Sequence, residues 1–247
     1  GDQVKLDQPL IQLESDVEEA TLRTAEADLG LARAEYQRGR ELIGSKAISK
    51  SEFDRLAAQW AKTSATVAEL KAALAKKRVL APFAAAGIPI VGVEPSCTAV
   101  LRDDLMDLLP DDPRSALVSG ATRTLAEVLS VVPASARRLP SLEGVEIVAQ
   151  PHCHHYSVMG WDADQALLES LGARVTRLEG CCGLAGNFGM EAGHYDLSVA
   201  VASHSLLPSL SAKPDAVYLA DGFSCRTQAA QLADRGGVHL AMLLAGK

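Results

Sequence analysis

Two long apolar seams constrain the first third of the chain. Leu22, Ala25, Leu29, Ala32, Tyr36, Gly39 and Ile43 recur at steps of three and four, and so do Phe53, Leu56, Trp60, Thr63, Val67, Leu70 and Leu74. That spacing keeps one stripe of a helix turned toward a partner helix, as in a coiled-coil seam. Gly44 stands where a helix ends with a C′ glycine, and Ser49-Lys-Ser-Glu52 carries the capping-box pattern that starts the next helix. The spacing predicts a helix over about 15–44, a loop over 45–48 and a second helix over about 50–76. At 1.5 Å per residue, two helices of about 27 residues form an antiparallel hairpin ~40 Å long. A hairpin of that length has little core of its own and suits reaching toward a partner. Ahead of it, Leu10-Ile-Gln-Leu13 reads as a short strand.

After residue 83 the periodicity and the composition both change. Residues 1–83 hold 13 Lys+Arg and 13 Asp+Glu, leaving 11 against 18 of the chain's 24 and 31 for the remainder. All five cysteines (97, 153, 181, 182 and 225) lie in that remainder. The shift predicts two units, 1–83 and 84–247. The 247 residues are 48% hydrophobic and 22% charged, which reads as a folded globular chain. A net charge of −7 gives no reason to expect nucleic acid as a partner. The chain opens on Gly rather than Met and shows no signal peptide, so it reads as a piece or a processed form of something longer.

In the second unit short apolar runs alternate with helical patterns. Strands are expected at 88–93, 145–149, 173–178 and 215–220. Helices are expected at about 98–109, 113–131, 162–171, 190–207 (ending near Pro208) and from Cys225 to about Asp234, with a strand start and a short helix over 238–245. Such alternation implies a parallel sheet with right-handed crossovers. Each cysteine falls just past the end of a predicted strand, the edge where parallel sheets bind ligands. Cys153, Cys181, Cys182 and Cys225 are therefore expected to converge, with Cys97 on the same edge, nearby or separate. Adjacent cysteines such as Cys181 and Cys182 are poorly spaced for a mutual disulfide and well suited to a metal centre. Four thiolates suit an iron–sulfur cluster or zinc, and three separate ligand loops favour the cluster over a zinc knuckle. Gly183, Gly186 and Gly189 offer backbone N–H groups to sulfur. His152, His154 and His155 flank Cys153 as neighbours of the metal or as proton carriers, while an ordinary packed or surface histidine remains the plainer reading of each. Asn187 and Asp221 are polar neighbours, and His194 reads as a packed helix residue.

Two resemblances follow from these residues. The opening Gly1-Asp-x-Val4…Gln8-x-Leu10, the hairpin and the returning Arg78-Val-Leu-Ala-Pro-Phe83 resemble the periplasmic adaptor (membrane fusion protein) family of tripartite efflux pumps. There a half-lipoyl strand precedes the hairpin, and an Arg, a Leu and a Ser at the tip meet an outer-membrane channel. The resemblance implies that role for Arg38, Leu42 and Ser49, self-association, and a periplasmic location for this unit. The sequence departs from the family after Phe83, where Ala84-Ala-Ala-Gly87 replaces the second half of the lipoyl domain.

Glu94-Pro-Ser-Cys97, Pro151-His-Cys-His-His155, Glu179-Gly-Cys-Cys-Gly183-x-x-Gly186 and Ser224-Cys225 resemble the cysteine-rich CCG domain. That domain occurs in heterodisulfide reductase, in the iron–sulfur component of glycolate oxidase, in anaerobic glycerol-3-phosphate dehydrogenase and in fused FAD-binding oxidoreductases. The resemblance implies an iron–sulfur electron-transfer module of a flavin-linked, 2-hydroxy acid dehydrogenase-like enzyme in the cytoplasm. Its 4Fe–4S-type cluster would sit on Cys153, Cys181, Cys182 and Cys225, and its FAD on another section or partner, so that no complete active site lies within this chain. Gly222 and Glu94 stand where the first Cys of two C-x-x-C pairs would be, which implies four cysteine ligands rather than five. Two motif sets from different compartments meeting near residues 83–84 imply a chimeric chain. The alternative is an adaptor fragment acting through the hairpin tip alone.

Overall fold

The computed structural model describes residues 16–246. The strand expected at residues 10–13 and the half-lipoyl opening lie outside them. The chain divides into two compact units, residues 1–81 with 107–116, and residues 82–106 with 117–247.

In the first unit the two seams form the expected hairpin, α1 (Asp16–Gly44) and α2 (Lys50–Ala85). The seam residues are the inward ones: Ala32, Val67, Leu70 and Leu74 are buried, while the residues between them are mostly exposed. Tyr36 stacks on Phe53 and Trp60, with ring centroids 5.5 and 4.8 Å apart. Gly39 lets Leu56 approach the α1 backbone, since a Cβ there would lie 2.7 Å from Leu56 Cδ1. The Ser49 hydroxyl accepts the Glu52 N–H at 3.1 Å, as a cap should. Glu52 itself takes Arg55 rather than reaching back to Ser49. Lys77 is fully buried in α2 and pairs with buried Asp112, which also accepts from the Arg114 guanidinium at 2.9 Å.

Helix α2 does not stop at Lys76 but continues to Ala85. Ala81, Ala84 and Ala85 favour helix, and the end is closed by a Schellman pair: Ile88 N–H donates to Phe83 C=O (2.9 Å) and Gly87 N–H to Ala84 C=O (3.0 Å), with Gly87 at φ +73°.

The second unit is an α/β domain, as its alternation predicts. Strands β1 (Ile90–Gly92) and β2 (Thr122–Thr124) pair in parallel. Strands β3 (Glu146–Ala149), β4 (Arg174–Arg177) and β5 (Val217–Leu219) form a parallel sheet in the order β4-β3-β5, and Val238 bridges to Leu219 in the same sense. Side chains alternate across this sheet. Val148, Tyr218 and Ala220 face one core, with α8 (Tyr195–Ala202), α9 (Leu206–Ala212) and α10 (Phe223–Ala233). Ile147, Ala149 and Leu219 face the other, with α6 (Leu125–Val131), α7 (Asp162–Ser170) and α11 (Leu240–Leu244).

Two long helices expected from the sequence are interrupted. Between α5 (Pro113–Ala121) and α6 lies β2, because β-branched Thr122 and Thr124 favour extended backbone. Thr124 then caps α6 in a full capping box with Glu127: Glu127 N–H to Thr124 Oγ1 is 3.1 Å and Thr124 N–H to Glu127 Oε2 is 2.8 Å. The stretch 190–207 splits into α8 and α9, and Pro208 lies inside α9. It sits in that helix's first turn, where a missing N–H leaves no bond unmade. The segment expected as one helix over 98–109 is α3 (Pro95–Ala99), a π-helical turn (Val100–Asp104) and α4 (Leu105–Leu108).

Candidate metal centre

Three loops leave the carboxyl ends of neighbouring parallel strands, and each carries cysteine. Cys153 follows β3, Cys181 and Cys182 follow β4, and Cys225 lies in the first turn of α10 after β5. Parallel strands put these ends on one edge, and the four thiols meet there in series. Cys153 neighbours Cys181, Cys181 neighbours Cys182, and Cys182 neighbours Cys225, each pair close enough to shift the other's titration. The row runs from surface to core: Cys153 is exposed, Cys181 half-buried, and Cys182 and Cys225 are buried. A cleft of about 520 Å³ opens onto the outer end, between Tyr156 and Ser157 on one side and Glu179 and Gly180 on the other.

Electrostatics within the row single out Cys181. Hydrogen bonds from the Cys153 and Cys182 thiols pull its pKa well down against the opposing effect of burial, and the Gly183 N–H adds a third donor at 3.3 Å from its Sγ. Donating to Cys181 pushes Cys153 up, with burial adding to it; Cys182 is pushed up by its bonds to Cys181 and Cys225 and by burial. Of the four thiols, Cys181 is thus the one whose surroundings favour the thiolate form. Gly183 is required for this. It sits at φ +96°, and a Cβ there would lie 2.2 Å from Ser198 C=O. Of the other two glycines expected to face sulfur, Gly186 is at φ +73° with open space around it, and Gly189 packs against the Ser198 side chain.

The three histidines separate. His152 is buried, and its Nδ1 accepts the His154 N–H at 3.2 Å and lies 4.0 Å from Cys153 Sγ. Burial lowers its pKa, opposed by the facing Glu94 carboxylate. His154 meets the His152 ring edge-on at 5.3 Å. His155 turns away from the cysteines and lies 3.2 Å from buried Asp164. His194 stacks on Phe188 at 4.0 Å, and Asn187 donates to Glu191 at 3.1 Å, so neither belongs to the row.

Glu94 and Gly222 meet at His152. Burial raises the Glu94 pKa, but hydrogen bonds from the Ser96 hydroxyl and the Cys97 and Phe223 N–H groups, with His152, bring it below the usual carboxylate range. A Cβ on Gly222 would lie 2.3 Å from His152 Cδ2. The space that a cysteine at 222 would need is thus taken by the imidazole. Cys97 is exposed in the first turn of α3, its N–H held by Glu94 at 3.1 Å. Sequence reasoning missed Glu94 as a partner of His152. It also missed Gln150, whose buried amide donates to Gly180 C=O at 3.0 Å and ties the β3 and β4 loops. Glu94 stands within the Glu94-Pro-Ser-Cys97 motif, but no motif signals its meeting with His152 or the reach of Gln150, because both contacts cross between loops. In the hairpin unit, Arg38, Leu42 and Ser49 are all exposed at or near the tip.

A cysteine-lined edge of a parallel sheet and a long helical hairpin define two classes of protein in one chain. Residues 14–79 match the family described as the RND MFP alpha-helical hairpin domain. An uncharacterized protein of Haemophilus influenzae is 39% identical over 83 residues, 34% of this chain and 22% of that protein. The antibiotic efflux pump periplasmic linker protein ArpA of Pseudomonas putida is 36% identical over 83 residues, with the same coverage. The C-terminal part is similar to D-2-hydroxyglutarate dehydrogenases; that of Pantoea ananatis is 27% identical over 156 residues, 62% of this chain and 15% of the enzyme. The chain thus spans about a fifth or less of the length of these relatives. It joins a hairpin similar to efflux linkers to a segment similar to a dehydrogenase. No solved structure gives a significant match.

Proposed function

We propose that the second unit is the iron–sulfur electron-transfer module of a flavin-linked oxidoreductase acting on a 2-hydroxy acid, joined here to an efflux-adaptor hairpin in a chimeric chain with its domain join near residues 83–84. The observation that carries this reading is the row of four neighbouring sulfurs, Cys153, Cys181, Cys182 and Cys225, on one sheet edge. The donor set fits a cluster better than zinc. One tetrahedral zinc with bonds of about 2.3 Å needs sulfurs about 3.8 Å apart on every side. Among the described residues no three cysteine sulfurs lie within 4.8 Å of one another. A multi-iron cluster takes one thiolate per iron, so its four cysteine sulfurs need not share one metal's coordination sphere. When bound, the cluster supplies one-electron transfer. The chain's own groups hold it and tune it: the Gly183 N–H donates to Cys181, and His152 with Glu94 closes one flank. The flavin belongs to another section or partner, and this unit to the cytoplasm.

Protein purified without air should contain iron and acid-labile sulfide and give an EPR signal on reduction. Protein that carries no iron and takes up none on reconstitution overturns the reading; stoichiometric zinc replaces it with a zinc site.

The second reading concerns the hairpin. Its exposed Arg38, Leu42 and Ser49 support docking to an outer-membrane channel in the periplasm, with copies of the hairpin side by side. Leu42→Asp and Arg38→Ala should each lower channel capture in a pull-down by about tenfold, as loss of a central contact does. Capture equal to the unsubstituted chain removes this reading.

A further inference from the structure

A second group of donors lies behind the cysteine row and uses none of its sulfurs. His155 follows β3 on a π-helical turn (His155–Met159), Asp164 sits in the first turn of α7, and Asp221 follows β5. One donor atom from each lies within 4.8 Å of the others. His155 and Asp164 are almost completely buried, at 3% and 2% exposure, and Asp221 is largely so, with 13% of its side chain exposed.

The geometry of the first pair is not that of a His–Asp hydrogen bond. His155 Nε2 and Asp164 Oδ2 are 3.2 Å apart, yet both are buried atoms with no hydrogen-bond partner. Two donors that share one cation at about 2.0–2.2 Å stand about 3.0–3.5 Å apart, each aimed at the ion and not at the other. A buried carboxylate oxygen with no partner is costly, and a cation removes that cost.

The third donor comes from the loop after β5. Asp221 Oδ1 accepts the Leu240 N–H at 2.7 Å, and one of its carboxylate oxygens lies within 4.8 Å of the other two donor atoms. His239 Nδ1 lies 3.6 Å from Oδ1 but accepts the Ala241 N–H at 3.0 Å, while its Nε2 faces Val93 C=O. Nδ1 of His239 is thus taken by the Ala241 N–H rather than by Asp221.

We propose that His155, Asp164 and Asp221 bind one divalent first-row transition ion, which clamps the turn after Cys153 to α7 and to the loop leading to Cys225. One imidazole and two carboxylates make a mixed nitrogen–oxygen set that suits Mn²⁺, Fe²⁺ or Zn²⁺. Water completes the coordination, and Asp221 marks the open side through which the ion enters.

Mn²⁺ is the probe, because it favours oxygen and nitrogen over thiolate. The full chain, freed of metal, should bind one Mn²⁺, and pulsed EPR should show ¹⁴N coupling from a single imidazole. Asp164→Asn and Asp221→Asn should each weaken binding by at least about tenfold, while Cys97→Ser leaves it unchanged. No Mn²⁺ uptake, bound Mn²⁺ without nitrogen coupling, or binding by Asp164→Asn equal to the unsubstituted chain overturns the proposal. Should either Asp variant fail to fold, the nitrogen coupling in the unsubstituted chain decides. Iron analysis reads the cysteine row separately, so the two sites stand or fall independently.

Discussion

Cys181→Ser is expected to bring the iron content of anaerobically purified protein to background, a fall of more than about tenfold, while Cys97→Ser retains it in full. Cys181 is the middle of the row: the Cys153 and Cys182 thiols beside it and the Gly183 N–H favour its thiolate form, the form a metal binds. A serine keeps the volume and a donor but is a poor ligand for soft iron–sulfur chemistry. Cys97 is exposed on α3 and serves as the control. Iron and sulfide per chain, with the reduced EPR signal, are the measurement. Far-UV circular dichroism should match between the two variants, since Cys181 is only half-buried. Equal iron in both would remove Cys181 from the site.

Gly183→Ala is expected to destabilise the second unit by roughly 3–5 kcal/mol, and Gly186→Ala by only about 1 kcal/mol. Both glycines have positive φ, +96° and +73°, so both substitutions carry backbone strain. Only at Gly183 does the added Cβ meet backbone, 2.2 Å from Ser198 C=O; at Gly186 nothing lies within 4 Å. The Ser198 carbonyl belongs to α8 and cannot swing aside without breaking the helix. Against a typical domain stability of about 5–15 kcal/mol, the larger loss unfolds a substantial share of molecules under mild denaturant. Urea melts followed by Trp161 fluorescence, in a Trp60→Phe background, isolate the second unit. Equal midpoints for the two variants would show that the Cys-Cys-Gly turn is looser than its packing implies.

Much of the architecture is legible in the residues. The hairpin seams at Leu22–Ile43 and Phe53–Leu74 repeat through several turns, and helical periodicity is a local property that every turn restates. The cysteine edge is legible for a related reason: parallel strands align their ends, so a cysteine just past each strand must reach one rim. Shorter signals are harder to see. Thr122 and Thr124 break an apparent helix through β-branching and a capping box at Glu127, and Pro208 lies inside α9, at a first-turn position, rather than marking a helix end. In both places a few residues of local chemistry outweigh the longer pattern around them.

What the sequence by itself determined is the two-part character of the chain, the hairpin, the parallel α/β order and the placing of cysteines just past the strand ends. Tertiary structure alone decided which neighbours complete the site. His152 fills the space a cysteine at 222 would take, Glu94 reaches across to Phe223, residues 107–116 join the hairpin's unit through buried Asp112, and His155 leaves the cysteines for Asp164 and Asp221. The physical reason is range. Periodicity, caps and strand ends act over a few residues of one segment, whereas these contacts join residues far apart in the chain and depend on how strands β3, β4 and β5 are ordered and registered.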